Sequence, residues 1–241
     1  MPNDNRIKGK LYAIGLGPGD PDLLTVKAVK ILNKVDSIVV PKARIKSDSV
    51  ARDIVTRALG PDLPFVEMVF PMSRDKSELE SHWDKAADAL LYMLNKGEDV
   101  AFVTLGDVSL YSTFSYLEKS LKRKDSSVRA ELVPGISSIQ LAAIRFETPL
   151  ALGDENYGVY PLPENISDLD KALEDLDNLM IMKIGNRLGE LKSYLEEKGL
   201  LNQSRFIRRA GFPDEFICHD LSELDEKESG YLSIIMVKKG V

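Results

Sequence analysis

The sequence is poor in the residues that hold metals and covalent cross-links. Its 241 residues include one cysteine, Cys218, and two histidines, His82 and His219. A single cysteine excludes a disulfide framework and a cysteine-based zinc site, and it fits a reducing cytoplasm. The histidines stand far apart without ligand spacing, so no metal site is expected. No apolar run approaches the ~20 residues needed to span a bilayer. The polar start, Met1 to Lys10, lacks the apolar core of a signal peptide. An excess of positive charge is missing too: the formal net charge is -6, the opposite of a nucleic-acid footprint. The expectation is a soluble, cytoplasmic protein with neither a membrane nor a nucleic acid as partner.

What is present is an alternation of apolar runs and helical periodicity. Lys10 to Gly17 reads as a strand entering a glycine-rich turn, and Asp20-Pro21 reads as a capped helix start. Strands are expected at Ser37 to Val40, Phe65 to Phe70, Asp99 to Leu105 and Ala130 to Val133. Helices are expected at Ser47 to Leu59, Ser77 to Asn95, Leu110 to Lys122 and Ser137 to Phe146. Such alternation predicts an α/β domain with a mainly parallel, three-layer sheet over residues 1–146. The glycine- and proline-rich stretch Thr148 to Pro163 is expected to link it to a second α/β domain, 147–241. There, strands at Leu179 to Ile184, Phe206 to Ala210, Phe216 to His219 and Tyr231 to Val237 predict a mixed sheet, because the last strands follow one another without an intervening helix.

Three strand–turn–helix junctions carry the chemistry. In Gly15-Leu16-Gly17-Pro18-Gly19-Asp20-Pro21, three glycines in five residues exceed what a turn requires, which points to a ligand-lining role. A dinucleotide fingerprint needs glycine where Asp20 stands, and that acid would repel a phosphate. A phosphate-binding Gly-Lys-Ser/Thr is missing as well. Gly106-Asp107-Val108-Ser109 follows the most apolar strand, and Ser112 and Thr113 fall on the same helix face as Ser109 if the helix starts at Leu110. Hydroxyls at a crevice suit an uncharged polar ligand such as a ribose or an amino-acid group. Pro134-Gly135-Ile136-Ser137-Ser138 is the third junction. In a parallel sheet all three lie on one edge. No Ser-His-Asp order is apparent, and Cys218 sits in an apolar strand, packed rather than nucleophilic.

These three motifs, with Leu105 before Gly106-Asp107 and Ser109-Leu110-Tyr111 after it, resemble those of the tetrapyrrole (corrin/porphyrin) methylases. The nearest likeness is to the branch that methylates C20 of precorrin-2 or cobalt-factor II in cobalamin biosynthesis. That likeness rests on Phe70-Pro71-Met72-Ser73-Arg74-Asp75, Thr104 to Tyr116 and Gly153-Asp154-Glu155. One residue departs from the family pattern: Val108 stands where proline usually follows Gly-Asp. Valine leaves the backbone N–H available and the turn less rigid.

The resemblance implies two α/β domains, a homodimer, and S-adenosylmethionine bound between the domains as methyl donor to the tetrapyrrole. It implies that Gly106, Asp107, Ser109, Leu110, Ser112, Ser137 and Ser138 meet the donor's amino-acid end. Met182, Ala210 and Ser233 would hold its nucleoside end. Gly17, Gly19 and Asp20 are expected at the substrate. Lys42, Arg44 and Arg74, with Arg52 and Arg187 as further candidates, are expected to face its carboxylates. The reaction is then a displacement at the sulfonium methyl by a meso carbon, with Asp107 or Tyr231 as the base. Two rivals stay open at this point: a sister activity (another ring position, or diphthine synthase) and a non-catalytic nucleoside-binding regulator.

Overall fold

The computed structural model describes residues 8–42, 49–70, 75–225 and 227–239. They form two compact units, Met1–Ser137 and Ser138–Val241. In the first unit, strands and helices alternate in chain order. They are β1 (Leu11–Gly15), α1 (Val26–Leu32), β2 (Ser37–Lys42), α2 (Val50–Leu59), β3 (Phe65–Val69), α3 (Lys76–Asn95), β4 (Val100–Thr104), α4 (Phe114–Lys124) and β5 (Ala130–Val133). The sheet runs β3-β2-β4-β1-β5 with every pairing parallel.

A parallel sheet covered on both faces needs apolar side chains of both parities, and β4 supplies them, with all five of its residues buried. On one face Leu11, Ala13, Val39, Met68, Val100 and Phe102 pack with Ala86, Ala87, Leu90 and Leu94 of α3 and with Phe114, Leu117 and Leu121 of α4. Residues of the opposite parity, including Ile14, Ile38, Val40, Ala101 and Val103, are buried as well. They lie on the side of α2, which packs on β2. The expected three layers are present.

The strand order places a topological switch at β1 and β4. From β1 the chain crosses β4 to reach β2, whereas from β4 it crosses β1 in the opposite direction to reach β5. Right-handed crossovers then send α1 and α2 to one face and α3 and α4 to the other. The loops after β1 and β4 leave their strands in opposite directions, which is where open α/β sheets bind ligands.

The second unit comprises α5 (Ser138–Arg145), β6 (Tyr157–Pro161), α6 (Asp170–Asp175), β7 (Asn178–Met182), α7 (Leu188–Glu197), β8 (Ser204–Arg208), β9 (Phe216–Cys218) and β10 (Ser233–Lys238). Its sheet is β6-β7-β10-β8-β9, with β6 parallel to β7 and the remaining pairs antiparallel. The mixed sheet is as expected, and Leu179, Ile181, Phe206, Ile235 and Val237 pack its core against Leu191 and Leu195 of α7.

Four boundaries differ from the sequence reading. The units divide at Ser137–Ser138 rather than after Phe146, because α5 packs on β10 and Arg145 at its end pairs with Glu215. The stretch read as a linker contains β6; an edge strand tolerates Pro161 at its end. Asp20-Pro21 opens only a short 3₁₀ turn, Pro21–Leu23; Leu24 is extended and Thr25 caps α1. Finally, α4 starts at Phe114, not Leu110, since Tyr111 adopts a left-handed φ of 51°. Among the described residues no helix is long and apolar enough to cross a membrane.

Candidate functional site

At the switch point the three predicted junctions meet backbone to backbone. Gly17 and Gly106 exchange hydrogen bonds, N–H of Gly17 to O of Gly106 at 3.1 Å and N–H of Gly106 to O of Gly17 at 2.7 Å. A Cβ on Gly15 would stand 2.7 Å from both the Gly106 oxygen and the Gly135 nitrogen, and one on Gly135 would run into the same Gly106 oxygen. Gly15 and Gly135 are therefore required by packing, and Gly17, at φ 79°, by its turn. The loops' contact with one another thus accounts for Gly15, and the turn for Gly17. Gly106 is different. Its φ is 73° and nothing lies within 4 Å of the place a Cβ would take, so here, unlike at Gly15 and Gly135, the backbone is open to a close approach.

Asp107 ties the loops together. One carboxylate oxygen accepts the Ser109 N–H at 2.8 Å and the Ser109 hydroxyl, and the other accepts the Gly135 N–H at 2.9 Å. Burial by itself would raise its pKa. Hydrogen bonds from the Ser109 hydroxyl and from the N–H groups of Ser109, Gly135 and Val108 outweigh that and hold the carboxyl below its ordinary value. A carboxylate so engaged is a weak base and a strong brace. Val108 contributes through the N–H that a proline would lack, and its side chain is buried beside Phe70 and Phe114.

The hydroxyls do not line a helix face as expected, because Ser109 to Thr113 precede α4. Ser109 is exposed and donates to Asp107. Ser112 is buried; its Oγ accepts the Phe114 N–H at 3.1 Å and lies 3.5 Å from Thr104 Oγ1. Leu110 is half-buried, Ser137 is buried, and Ser138 begins α5. Asp20 caps the 3₁₀ turn by accepting the Asp22 N–H at 3.0 Å, and Arg57 donates to the Gly19 carbonyl.

The basic candidates are not bare cations. Lys42 and Arg52 both bind Glu67, at 2.9 and 3.0 Å. These hydrogen bonds, Lys42 first, lower the Glu67 pKa. One carboxylate serves two cations there, which leaves a positive remainder at the ends of β2 and β3. Arg187 is held by both Glu190 oxygens and by the carbonyls of Pro163 and Glu164. Arg44 and Arg74 lie outside the described residues, as do Pro71, Met72 and Ser73 of the motif that carried the narrower likeness.

In the second unit the remaining candidates gather at one edge of the sheet, where β7 and β8 end and β10 begins. Met182 closes β7, Ala210 follows β8 and Ser233 opens β10, with Ser233 paired to Arg208. Ser233 is buried and donates its hydroxyl proton to the Gly230 carbonyl at 2.7 Å, so its one side-chain donor is already used. Tyr231 precedes β10 and is half exposed (51%). The same edge holds three non-glycine residues in the left-handed region, Lys183 (φ 56°), Arg209 (φ 53°) and Leu232 (φ 51°), and the Arg209 N–H donates to the Leu232 carbonyl at 2.9 Å. Each such residue costs of order 1–3 kcal/mol. The surrounding structure must sustain that cost at all three positions of this edge. No sequence pattern announces a left-handed lysine, arginine or leucine, so this feature was invisible before. A mostly apolar depression of about 380 Å³ lies elsewhere in this unit, between Gln140, Ile144, Thr148 and Leu150; none of the expected residues lines it.

Comparison with known proteins identifies the family. Residues 10–225 match the family model of the Tetrapyrrole (Corrin/Porphyrin) Methylases. The cobalt-precorrin-2 C(20)-methyltransferase of Salmonella typhimurium is 36% identical, over 97% of this chain and 98% of its own. A probable cobalt-precorrin-2 C(20)-methyltransferase of Methanocaldococcus jannaschii is also 36% identical, over 98% of each. Among solved structures, the uroporphyrin-III C-methyltransferase of Thermus thermophilus complexed with S-adenosyl homocysteine superposes with a TM-score of 0.65, at 20% identity, over 96% of this chain and 98% of that one. That last likeness speaks for the fold. With a family match over most of its length and a full-length relative above one-third identity, the chain belongs to the tetrapyrrole (corrin/porphyrin) methylases.

Proposed function

We propose that the protein transfers the methyl group of S-adenosylmethionine to C20 of precorrin-2 or its cobalt form in cobalamin biosynthesis, in the cytoplasm and as a homodimer. The observation that carries this reading is the 36% identity to a cobalt-precorrin-2 C(20)-methyltransferase across nearly the whole of both chains. The residues present fit the cofactor. It bears an amino-acid group, a ribose and an adenine but no phosphate. The first unit offers an open backbone at Gly106 and a loop whose one acid already has both carboxylate oxygens engaged by hydrogen bonds. When bound, the cofactor supplies an electrophilic methyl.

The chain's part is to align and to exclude water. Holding the acceptor carbon in line with the methyl is worth ~7–11 kcal/mol of barrier. In this reading Gly106, Ser109, Leu110, Ser112, Ser137 and Ser138 serve the amino-acid end. Met182, Ala210 and Ser233 receive the nucleoside end through their backbones. Asp107 holds the loop rather than moving a proton, as its lowered pKa and filled lone pairs favour. Gly17, Gly19 and Asp20 border the substrate, and Lys42, Arg44 and Arg74 answer its carboxylates. Alkylation of a meso carbon leaves a proton to be lost, and the exposed Tyr231 hydroxyl is the group assigned to relay it, accepting that proton as it passes its own to solvent water.

Mass spectrometry of precorrin-2 and of its cobalt form after incubation with S-adenosylmethionine tests this reading. The expected product gains one methyl, located at C20. A methyl at another position assigns a sister activity, and cofactor binding without turnover assigns a regulator.

A further inference from the structure

The loop between β8 and β9, residues 209–215, carries Ala210 and is fastened from below by acidic side chains. Gly211 sits in it at φ 82°. Its N–H does not face solvent unpaired; it donates to Glu215 Oε2 at 2.6 Å. The other oxygen of the same carboxylate accepts from Arg145 Nε at 2.8 Å. Arg145 is the last residue of α5, so Glu215 ties the loop to a rigid helix. Its side chain is 18% exposed, which lessens the screening of both bonds. A second acid, Asp214, accepts from Arg209 at 2.7 Å, and the Arg209 guanidinium lies 4.3 Å over the Phe212 ring. Arg209 is itself one of the left-handed residues at this edge. A strained turn persists only where its surroundings over-determine it, and Glu215 together with Asp214 supplies that excess of constraint.

We infer that Glu215 is a positioning residue for methyl-donor binding: by bridging the Gly211 N–H and Arg145, it sets the backbone that receives the nucleoside end. This rests on the reading that Ala210 lies at the donor, and the experiment separates the two. S-adenosylhomocysteine binding by calorimetry is compared for the full chain and for E215A, E215Q and R145A. E215A is expected to bind about tenfold more weakly. E215Q, whose single carbonyl oxygen serves Gly211 or Arg145 but not both, falls between E215A and the unaltered protein, as does R145A. The double variant E215A/R145A is no weaker than E215A, because one bridge is broken only once. At saturating donor, kcat and the tetrapyrrole KM stay within twofold. Amide exchange of peptide 209–215 in the ligand-free protein quickens at least tenfold in E215A while β7 and β10 are unaffected. Unchanged exchange in that peptide overturns the inference, and so does quickened exchange with unchanged affinity. An unaltered protein that fails to bind S-adenosylhomocysteine refutes the functional reading instead, and the exchange experiment still decides whether Glu215 holds the loop.

Discussion

Asp107 separates two mechanisms that a loss of activity alone would confuse. Replacement by asparagine preserves shape and one acceptor oxygen but turns the other into an amide donor. The Gly135 N–H, which now donates to Oδ2 at 2.9 Å, would face that amide. A hydrogen bond to a charged acceptor is worth about 1.5–3 kcal/mol, and an orphaned buried donor about 1–3 kcal/mol. D107N should therefore lose about 2–3 kcal/mol of stability. For a chain of this length that lowers the melting midpoint by about 4–12 °C. Affinity for S-adenosylhomocysteine should fall tenfold or more, since Gly106 moves with the loop. Scanning calorimetry and titration calorimetry read the two effects. The pH dependence is fixed by sign. The folded pKa lies below the unfolded one, so the contribution is fully present above the ordinary aspartate value of about 3.9. It is lost only as pH falls through the lower, folded value. Near neutrality the brace does not titrate. If D107N melted and bound donor like the unaltered protein yet lost turnover, Asp107 would be the base and the brace argument would be wrong.

The glycines offer a contrast. G106A places a methyl in open space at a left-handed residue, so it should cost about 1 kcal/mol of stability but at least tenfold in donor affinity. G15A drives a methyl into the Gly106 and Gly135 backbones and should prevent accumulation of folded protein; equal effects of the two on melting would refute the packing account. V108P removes an N–H that serves Asp107 and should lower the melting midpoint by a few degrees, measured by scanning calorimetry, with donor binding retained. K238M strips the buried Lys238 from Glu155, which it meets at 2.9 Å, and should lower the melting midpoint measured by scanning calorimetry. Hydrogen bonds, first from Lys238 and then from the Leu152 N–H, lower the Glu155 pKa. In the unaltered protein this contribution is present above the unfolded carboxylate pKa and disappears as pH falls through the folded one, which acid titration of stability will show. Y231F should lower kcat at least tenfold with donor affinity unchanged; a smaller effect removes Tyr231 as the base.

The first unit was legible because parallel strands buried on both faces are written as apolar runs, as in Val100 to Thr104, and their turns as glycine and proline. The loops' place on one sheet edge followed from that alternation. The second unit was read less well. Its edge strand Tyr157–Pro161 alternates weakly and ends in proline, so it passed for a linker. Leu110 to Thr113 scanned as helix because hydroxyl spacing does not reveal that Tyr111 turns left-handed. The glycines were noticed by their density alone, which does not show that Gly15 and Gly135 answer to neighbouring backbone that only a fold brings together. Asp107 was picked out by its motif, but its hydrogen bond to a residue 28 positions away could not be seen along the chain.

The reciprocal bond between Gly17 and Gly106 has a thermodynamic consequence. It closes the crevice of the topological switch before any ligand arrives, so the loops there are ordered during folding. Donor association at that edge should freeze few backbone torsions, and its entropy change should be dominated by released water and by the ligand's own lost rotations. Heat capacity and entropy of binding, measured across temperature, should then resemble docking onto a finished surface rather than coupled folding.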